Sequence, residues 1–111
     1  MAHHTDHELL AEFVKNGSES AFSALVARYV NLVYSTALRH TSNPHHAEEV
    51  TQAVFIILAR KAGSFDEKTI LPGWLYRTAC FVSGSALKQE YRRQRREQEA
   101  YMQSTLSVDC I

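Results

Sequence analysis

Apolar residues recur three and four positions apart along most of this chain, and they almost never alternate. A spacing near 3.6 commits a segment to a helix with one buried face, whereas a half-buried strand needs a period of 2. Leu9, Leu10, Phe13 and Val14 form one such set, and Phe22, Leu25, Val26, Tyr29, Leu32, Val33 and Leu38 a second. Val50, Val54, Phe55, Ile57 and Leu58 form a third, and Leu75, Ala79, Val82 and Ala86 a fourth. The predicted fold class is all-α, a four-helix bundle.

The breaks between these stripes carry helix start and stop chemistry. Thr5-Asp6-His7-Glu8 has the form of a capping box, and Asn16-Gly17 is a stop signal. Ser18 is the next N-cap candidate. Thr41-Ser42-Asn43 breaks the second stripe, and Pro44 opens the third, because proline loses no hydrogen bond at the first helical position. Glu48 and Glu49 are placed near that N-terminus, where the helix dipole favours acids. Gly63–Leu71 reads as the one irregular loop of any length, and Pro72 opens the last helix. The expected helices are about 6–16, 18–41, 44–62 and 72–99. Beyond Leu87 the fourth stripe stops, so this helix is expected to project from the bundle. Residues 101–111 lack periodicity and read as a frayed tail.

With 111 residues, one domain over about residues 5–100 is the expectation. A hydrophobic share of 45% excludes a disordered chain. The longest apolar run, Ala53 to Ala59, is far short of the roughly 18 residues a membrane span requires. The N-terminus lacks the basic and apolar regions of a signal peptide. Cys80 and Cys110 read as two free thiols, which fits a reducing cytoplasm; a bridge between them is unsupported.

Twelve basic and twelve acidic residues give zero net charge, which on its face argues against a nucleic-acid binder. The distribution reverses that inference. From Arg77 to Arg96 there are six basic residues and one acid, a local charge of +5 against −5 elsewhere. Arg92, Arg93, Arg95 and Arg96 on a projecting helix have the footprint of phosphate contact. The plain alternative is a solvated helix end whose cations complement the dipole. At 100° per residue, Arg77, Phe81, Gly84, Ser85, Lys88 and Arg92 share the side opposite the buried stripe. Phe81 among cations suits stacking on an unpaired base, or packing on a neighbouring helix or partner. Trp74 and Tyr76 begin the same helix, and packing at the bundle's end is the favoured role of Trp74.

The six histidines include His3, His4 and His7 near the N-terminus and the adjacent pair His45-His46. None pairs with a cysteine or carboxylate at metal-site spacing. The sequence has no glycine-rich phosphate loop, nucleophile elbow or His-Glu-x-x-His motif. No metal, no cofactor and no enzymatic activity are expected.

Several blocks together resemble the region 2 domain of bacterial RNA polymerase sigma factors of the extracytoplasmic-function (ECF) type. They are Asp6–Val14, Ala21–Tyr29, Leu32–Tyr34, Pro44–Gln52 with Phe55, and Trp74–Ala79 followed by the arginine run. The resemblance implies a four-helix sigma region 2 bundle with a long, basic C-terminal helix, lacking catalysis. It also implies a linker at 101–111 toward a sigma region 4 domain outside this chain.

The resemblance divides the labour. Glu48, Glu49, Gln52, Ala53 and Phe55 would dock on the clamp helices of the largest subunit of core RNA polymerase. The loop Gly63–Leu71, with Phe65 and Lys68, would capture a base flipped from the promoter minus-ten element. The fourth helix, through Arg77, Phe81, Ser85, Lys88, Arg92, Arg93, Arg95 and Arg96, would read and melt that element and hold the non-template strand. Three positions depart from the family pattern. Ala53 stands where many members have an acid, Phe81 where many have Asn, and Ser85 where many have Asp. A protein-interaction module for an acidic partner or an anti-sigma factor, without direct DNA binding, is the alternative. A generic helix-turn-helix regulator fits less well, because the loop before the last helix is long.

Overall fold

The computed structural model describes residues 4–109, and side chains as far as residue 104. Four α-helices follow one another: α1 (Asp6–Asn16), α2 (Glu19–Thr41), α3 (Pro44–Lys61) and α4 (Leu71–Asp109). A single 3₁₀ turn, Ala62–Ser64, continues α3, and no strand occurs among the described residues. The all-α class read from the stripes is the class observed.

Local chemistry sets each boundary. Thr5 caps α1: its side chain accepts from the Glu8 amide while Glu8 reaches back to the Thr5 amide, at 3.1 and 3.3 Å. Gly17 ends the helix at φ 63°, a left-handed conformation glycine adopts without a Cβ penalty. Ser18 Oγ accepts from the Ala21 amide at 3.2 Å and starts α2 two residues after α1 ends. Asn43 Oδ1 accepts from the His46 amide at 3.1 Å and starts α3, with Pro44 at its first position.

Three boundary expectations change. The expected loop Gly63–Leu71 narrows to 65–70, because Gly63 and Ser64 belong to the 3₁₀ turn and buried Leu71 opens α4. Glu48 and Glu49 lie beyond the first turn of α3, which holds no acid, so the dipole lends them little. The fourth helix does not stop near 99 but continues to Asp109. The sequence Glu97-Gln98-Glu99-Ala100 contains strong helix formers and no breaker, and helix continuity needs no apolar stripe when intrahelical ion pairs support it. Cys80 is a half-buried free thiol, while Cys110 and His3 lie outside the described residues.

α2 is the central element and packs against α1, α3 and α4. Leu25, Val33, Val54, Leu58, Leu71 and Leu75 are the fully buried heart of the core. On α4 the inward row is Leu71, Leu75, Ala79 and Ser83, each four residues from the last. The α4 residues beyond Glu90 are exposed as far as 104, and the molecule extends 75 × 24 × 23 Å because the helix outruns its partners.

α1 adds Leu9 and Leu10 to this core and lies on α2 and the 3₁₀ turn. Phe13 meets Phe22 with ring centroids 4.8 Å apart. At the other end of α1, Asp6 receives hydrogen bonds from Arg28 at 2.8 Å and from the Tyr29 hydroxyl at 2.5 Å. Arg28 also donates to the His4 carbonyl at 2.9 Å.

Burial, then the hydrogen bond to Asp6 and its negative charge, push the Tyr29 phenol up to about 12. A raised value means that the fold favours the neutral phenol. Its contribution is intact below the unfolded value of about 10 and disappears as pH rises through about 12. The stability difference between the native protein and Tyr29→Phe is therefore expected to narrow over that window, measured by urea unfolding at stepped alkaline pH; a widening difference contradicts the assignment.

Ser83 Oγ is buried with no hydrogen-bond partner among the described residues. A buried, unpaired hydroxyl loses hydration and gains nothing in return. Ser83→Ala is expected to stabilise the fold by about 1 kcal/mol. A lowered urea midpoint would show that the hydroxyl has a partner after all.

Candidate nucleic-acid interface

With one row of α4 buried, the opposite row faces solvent. Arg77, Phe81, Ser85, Lys88, Arg92 and Arg96 lie along it, all exposed. From Arg77 to Arg96 this row spans about 28 Å at 1.5 Å per residue. Phe81 is 75% exposed and is not packed into the bundle among the described residues. An exposed ring between cations is an amphipathic surface with a planar apolar element and flanking positive charge.

The four clustered arginines are not equivalent. Arg93 donates to Glu90 at 2.6 Å and to Glu97 at 3.2 Å, and Arg95 lies 3.4 Å from Glu99. Its hydrogen bond to Arg93 lowers the Glu90 carboxyl, and the same contact raises the Arg93 guanidinium. No ion pair among the described residues engages Arg77, Lys88, Arg92 or Arg96. The basic excess is therefore a property of one face: over the whole helix six basic residues are set against four acids.

The segment before α4 is ordered by its own polar groups. Asp66 Oδ1 accepts from the Lys68 amide, the Thr69 amide and the Thr69 hydroxyl, at 3.0, 3.0 and 3.1 Å. Phe65 is half-buried and meets Trp74 edge-on, with centroids 5.0 Å apart. Trp74 thus packs, as its position suggested, and Phe65 presents only part of its ring to solvent. His7 of α1 donates from Nε2 to the Thr69 carbonyl at 3.0 Å. Lys68 is exposed, and so is Ile70, at 73%. Ile70 escaped the sequence reading. The available signal was an apolar residue standing outside every helical stripe.

The residues expected on the protein-docking face of α3 divide. Glu48, Glu49 and Gln52 are exposed, and Glu49 pairs with His45 at 3.0 Å. Ala53 is half-buried, and Phe55, 7% exposed, belongs to the core. Beside Gln52 and Phe55 runs an apolar groove of about 480 Å³, between Phe22, Val26 and Val30 of α2 and Ile56 and Ala59 of α3. Sequence reasoning missed the groove because it belongs to neither helix alone. Ile56, 53% exposed on its rim, was its trace.

The sequence profile of sigma-70 region 2 matches residues 25–97. The chain is 33% identical over 93 residues to the ECF RNA polymerase sigma-E factor of Haemophilus influenzae, covering 84% of this chain and 49% of that one. It is 36% identical over 66 residues to the ECF RNA polymerase sigma factor SigW of Bacillus subtilis, covering 60% and 35% respectively. With the ECF RNA polymerase sigma-E factor of Escherichia coli strain K12 the identity is 31%, over 84% of this chain and 48% of the relative. The chain belongs to the sigma-70 region 2 family, and within it to the ECF type. It spans about half or less of the length of these curated relatives.

The ion pairs make a prediction about any polyanion. Arg92→Ala and Arg96→Ala are each expected to shorten retention on a heparin column more than Arg93→Ala does, because Arg93 is already partly neutralised within the helix. Equal effects at all three positions would mean that the Arg93 pairs open when the polyanion binds.

Proposed function

We propose that this chain is the part of a sigma factor that docks on core RNA polymerase and holds the melted minus-ten element of a promoter during transcription initiation. One observation carries the reading: within the stretch matched to sigma-70 region 2, an exposed Phe81 stands on the same face of α4 as four cations with no ion-pair partner among the described residues.

The chemistry follows from that face. A base leaving the duplex loses its stacking energy and needs a replacement surface. Phe81 supplies a π-face, and Ile70 is a separate exposed apolar side chain at the root of the helix. Arg77, Lys88, Arg92 and Arg96 attract the phosphates of the same strand. Binding a single strand in this way stabilises the melted state over the duplex, so opening is driven by capture and no bond is broken. Gly63–Leu71 holds one flipped base in this reading. The departures Phe81 and Ser85 exchange polar base contacts for stacking, which favours retention of an unpaired base over its hydrogen-bond readout.

On the other side, Glu48, Glu49 and Gln52 offer an exposed acidic and amide patch to the clamp helices of the polymerase's largest subunit. Ala53 adds no charge there, and Phe55 acts by supporting the helix from within. The adjoining apolar groove favours a second use of this side, as the contact for a protein partner such as an anti-sigma factor.

Fluorescence titration of a labelled minus-ten-like single strand and its duplex tests the DNA reading. Phe81→Ala is expected to weaken single-strand binding by about 1–3 kcal/mol and duplex binding much less. Arg92→Ala and Arg96→Ala each remove one phosphate-neutralising cation and are expected to lower the single-strand salt slope by roughly 0.7. Equal weakening of both substrates by Phe81→Ala refutes the stacking role. Pull-down by core polymerase that survives reversal of charge at Glu48 and Glu49 refutes the docking patch.

A further inference from the structure

We infer that His7 is a positioning residue for the loop Gly63–Leu71, transmitting the rigidity of the α1–α2 pair to the segment that holds the unpaired base. The inference deepens the proposed function and rests on its assignment of that loop.

Thr69 is fully engaged. Its amide and hydroxyl donate to Asp66, and its carbonyl accepts from His7 Nε2. The carbonyl can only accept, so Nε2 carries the hydrogen and the ring is either the Nε2–H tautomer or the cation. The bond joins residues 62 apart in sequence. It is partly buried, so water competes less for it than it does for the exposed Asp66 bonds. The Asp66 bonds are local: they give the loop a shape and leave its orientation to the flanking helices. Phe65 against Trp74 ties the entry of the loop to α4. His7 ties its exit to α1.

The first turn of α1 is itself fixed. Asp6, the adjacent residue, is held by Arg28 and Tyr29 of α2. Successive helical residues point about 100° apart, so Asp6 faces α2 while His7 faces the loop. A rigid bracket therefore runs from α2 through Asp6 and His7 to Thr69. It leaves Lys68 and Ile70, on either side of Thr69, exposed and held in place. A loop free at its exit would have to be ordered each time a base is bound, and that ordering would weaken base-dependent affinity.

The test uses the full chain and a fluorescein-labelled single strand that it selects from a randomised pool. The same strand is also prepared with each base in turn replaced by an abasic site, and a fully abasic strand of equal length serves as the base-independent control. In the native protein one abasic position is expected to stand out. In His7→Ala that abasic penalty is expected to shrink roughly three- to tenfold, the effect of removing one hydrogen bond. Affinity for the fully abasic strand is expected to hold, the melting temperature to fall by no more than about 4–8 °C, and the Lys68 and Thr69 amides to exchange faster with deuterium. His7→Gln is expected to recover part of the penalty, because its carboxamide N–H can donate to the same carbonyl.

A full abasic penalty in His7→Ala overturns the inference, as does His7→Gln behaving like His7→Ala. An equal weakening on the fully abasic strand overturns it too, by assigning His7 to the fold or to phosphate binding. If the native protein shows no sensitive abasic position, the base-capture assignment fails first, and the inference falls with it.

Discussion

One buried row governs what this molecule displays. Leu71, Leu75, Ala79 and Ser83 follow each other at four-residue intervals on α4, all essentially without solvent exposure. A helix is stiff over this length, so seating one face against α2 and α3 dictates the direction of the other. Phe81 and Arg77 need no contacts of their own to be aimed. Small residues do the seating: Ala79 and Ser83 let α4 approach its neighbours closely, while Leu71 and Leu75 fill the volume beside them. Bulkier residues at 79 or 83 would move every exposed side chain together, because overpacking shifts backbones.

Much of this is legible in the sequence. The stripes, Thr5, Ser18, Asn43 and Gly17 locate the first three helices nearly to the residue, because caps and periodicity are local signals. The end of α4 is not legible by the same rule. A burial stripe says where a helix meets a core, and Gln94 to Gln103 continue a helix that meets none. The exposure of Phe81 follows from its angle to the buried row. The inequality of the arginines does not, since it depends on which rotamers reach Glu90, Glu97 and Glu99. Phe55 misleads for the reverse reason: it neighbours exposed Gln52 on the helix but sits where α2 covers it. His7 has no metal-site spacing, and its actual partner, a backbone carbonyl 62 residues away, has no signature in the sequence.

The charge balance takes on a structural meaning. Zero overall charge conceals a cationic row on α4 and acids elsewhere, including Glu48 and Glu49 on α3. The internal pairs Glu90–Arg93, Arg93–Glu97 and Arg95–Glu99 use charge to keep α4 helical beyond the bundle. Arg92 and Arg96, outside these pairs, continue the row begun by Arg77 and Phe81. Arg93 and Arg95 thus serve the helix itself, while Arg92 and Arg96 of the same cluster present their charge to solvent.

Mechanically, the outer half of α4 is a cantilever. Beyond Glu90 it rises about 30 Å from its support, and its described side chains are exposed rather than packed. A rotation of a few degrees at Ala79 therefore sweeps the tip across several ångströms. Packing errors at the root are magnified at Arg96 more than at Phe81. Contacts near the root can demand close fit, whereas those far out can ask only for opposite charge. The lengthening lever arm of a single stiff helix suits its root to close geometric fit and its distal end to electrostatics.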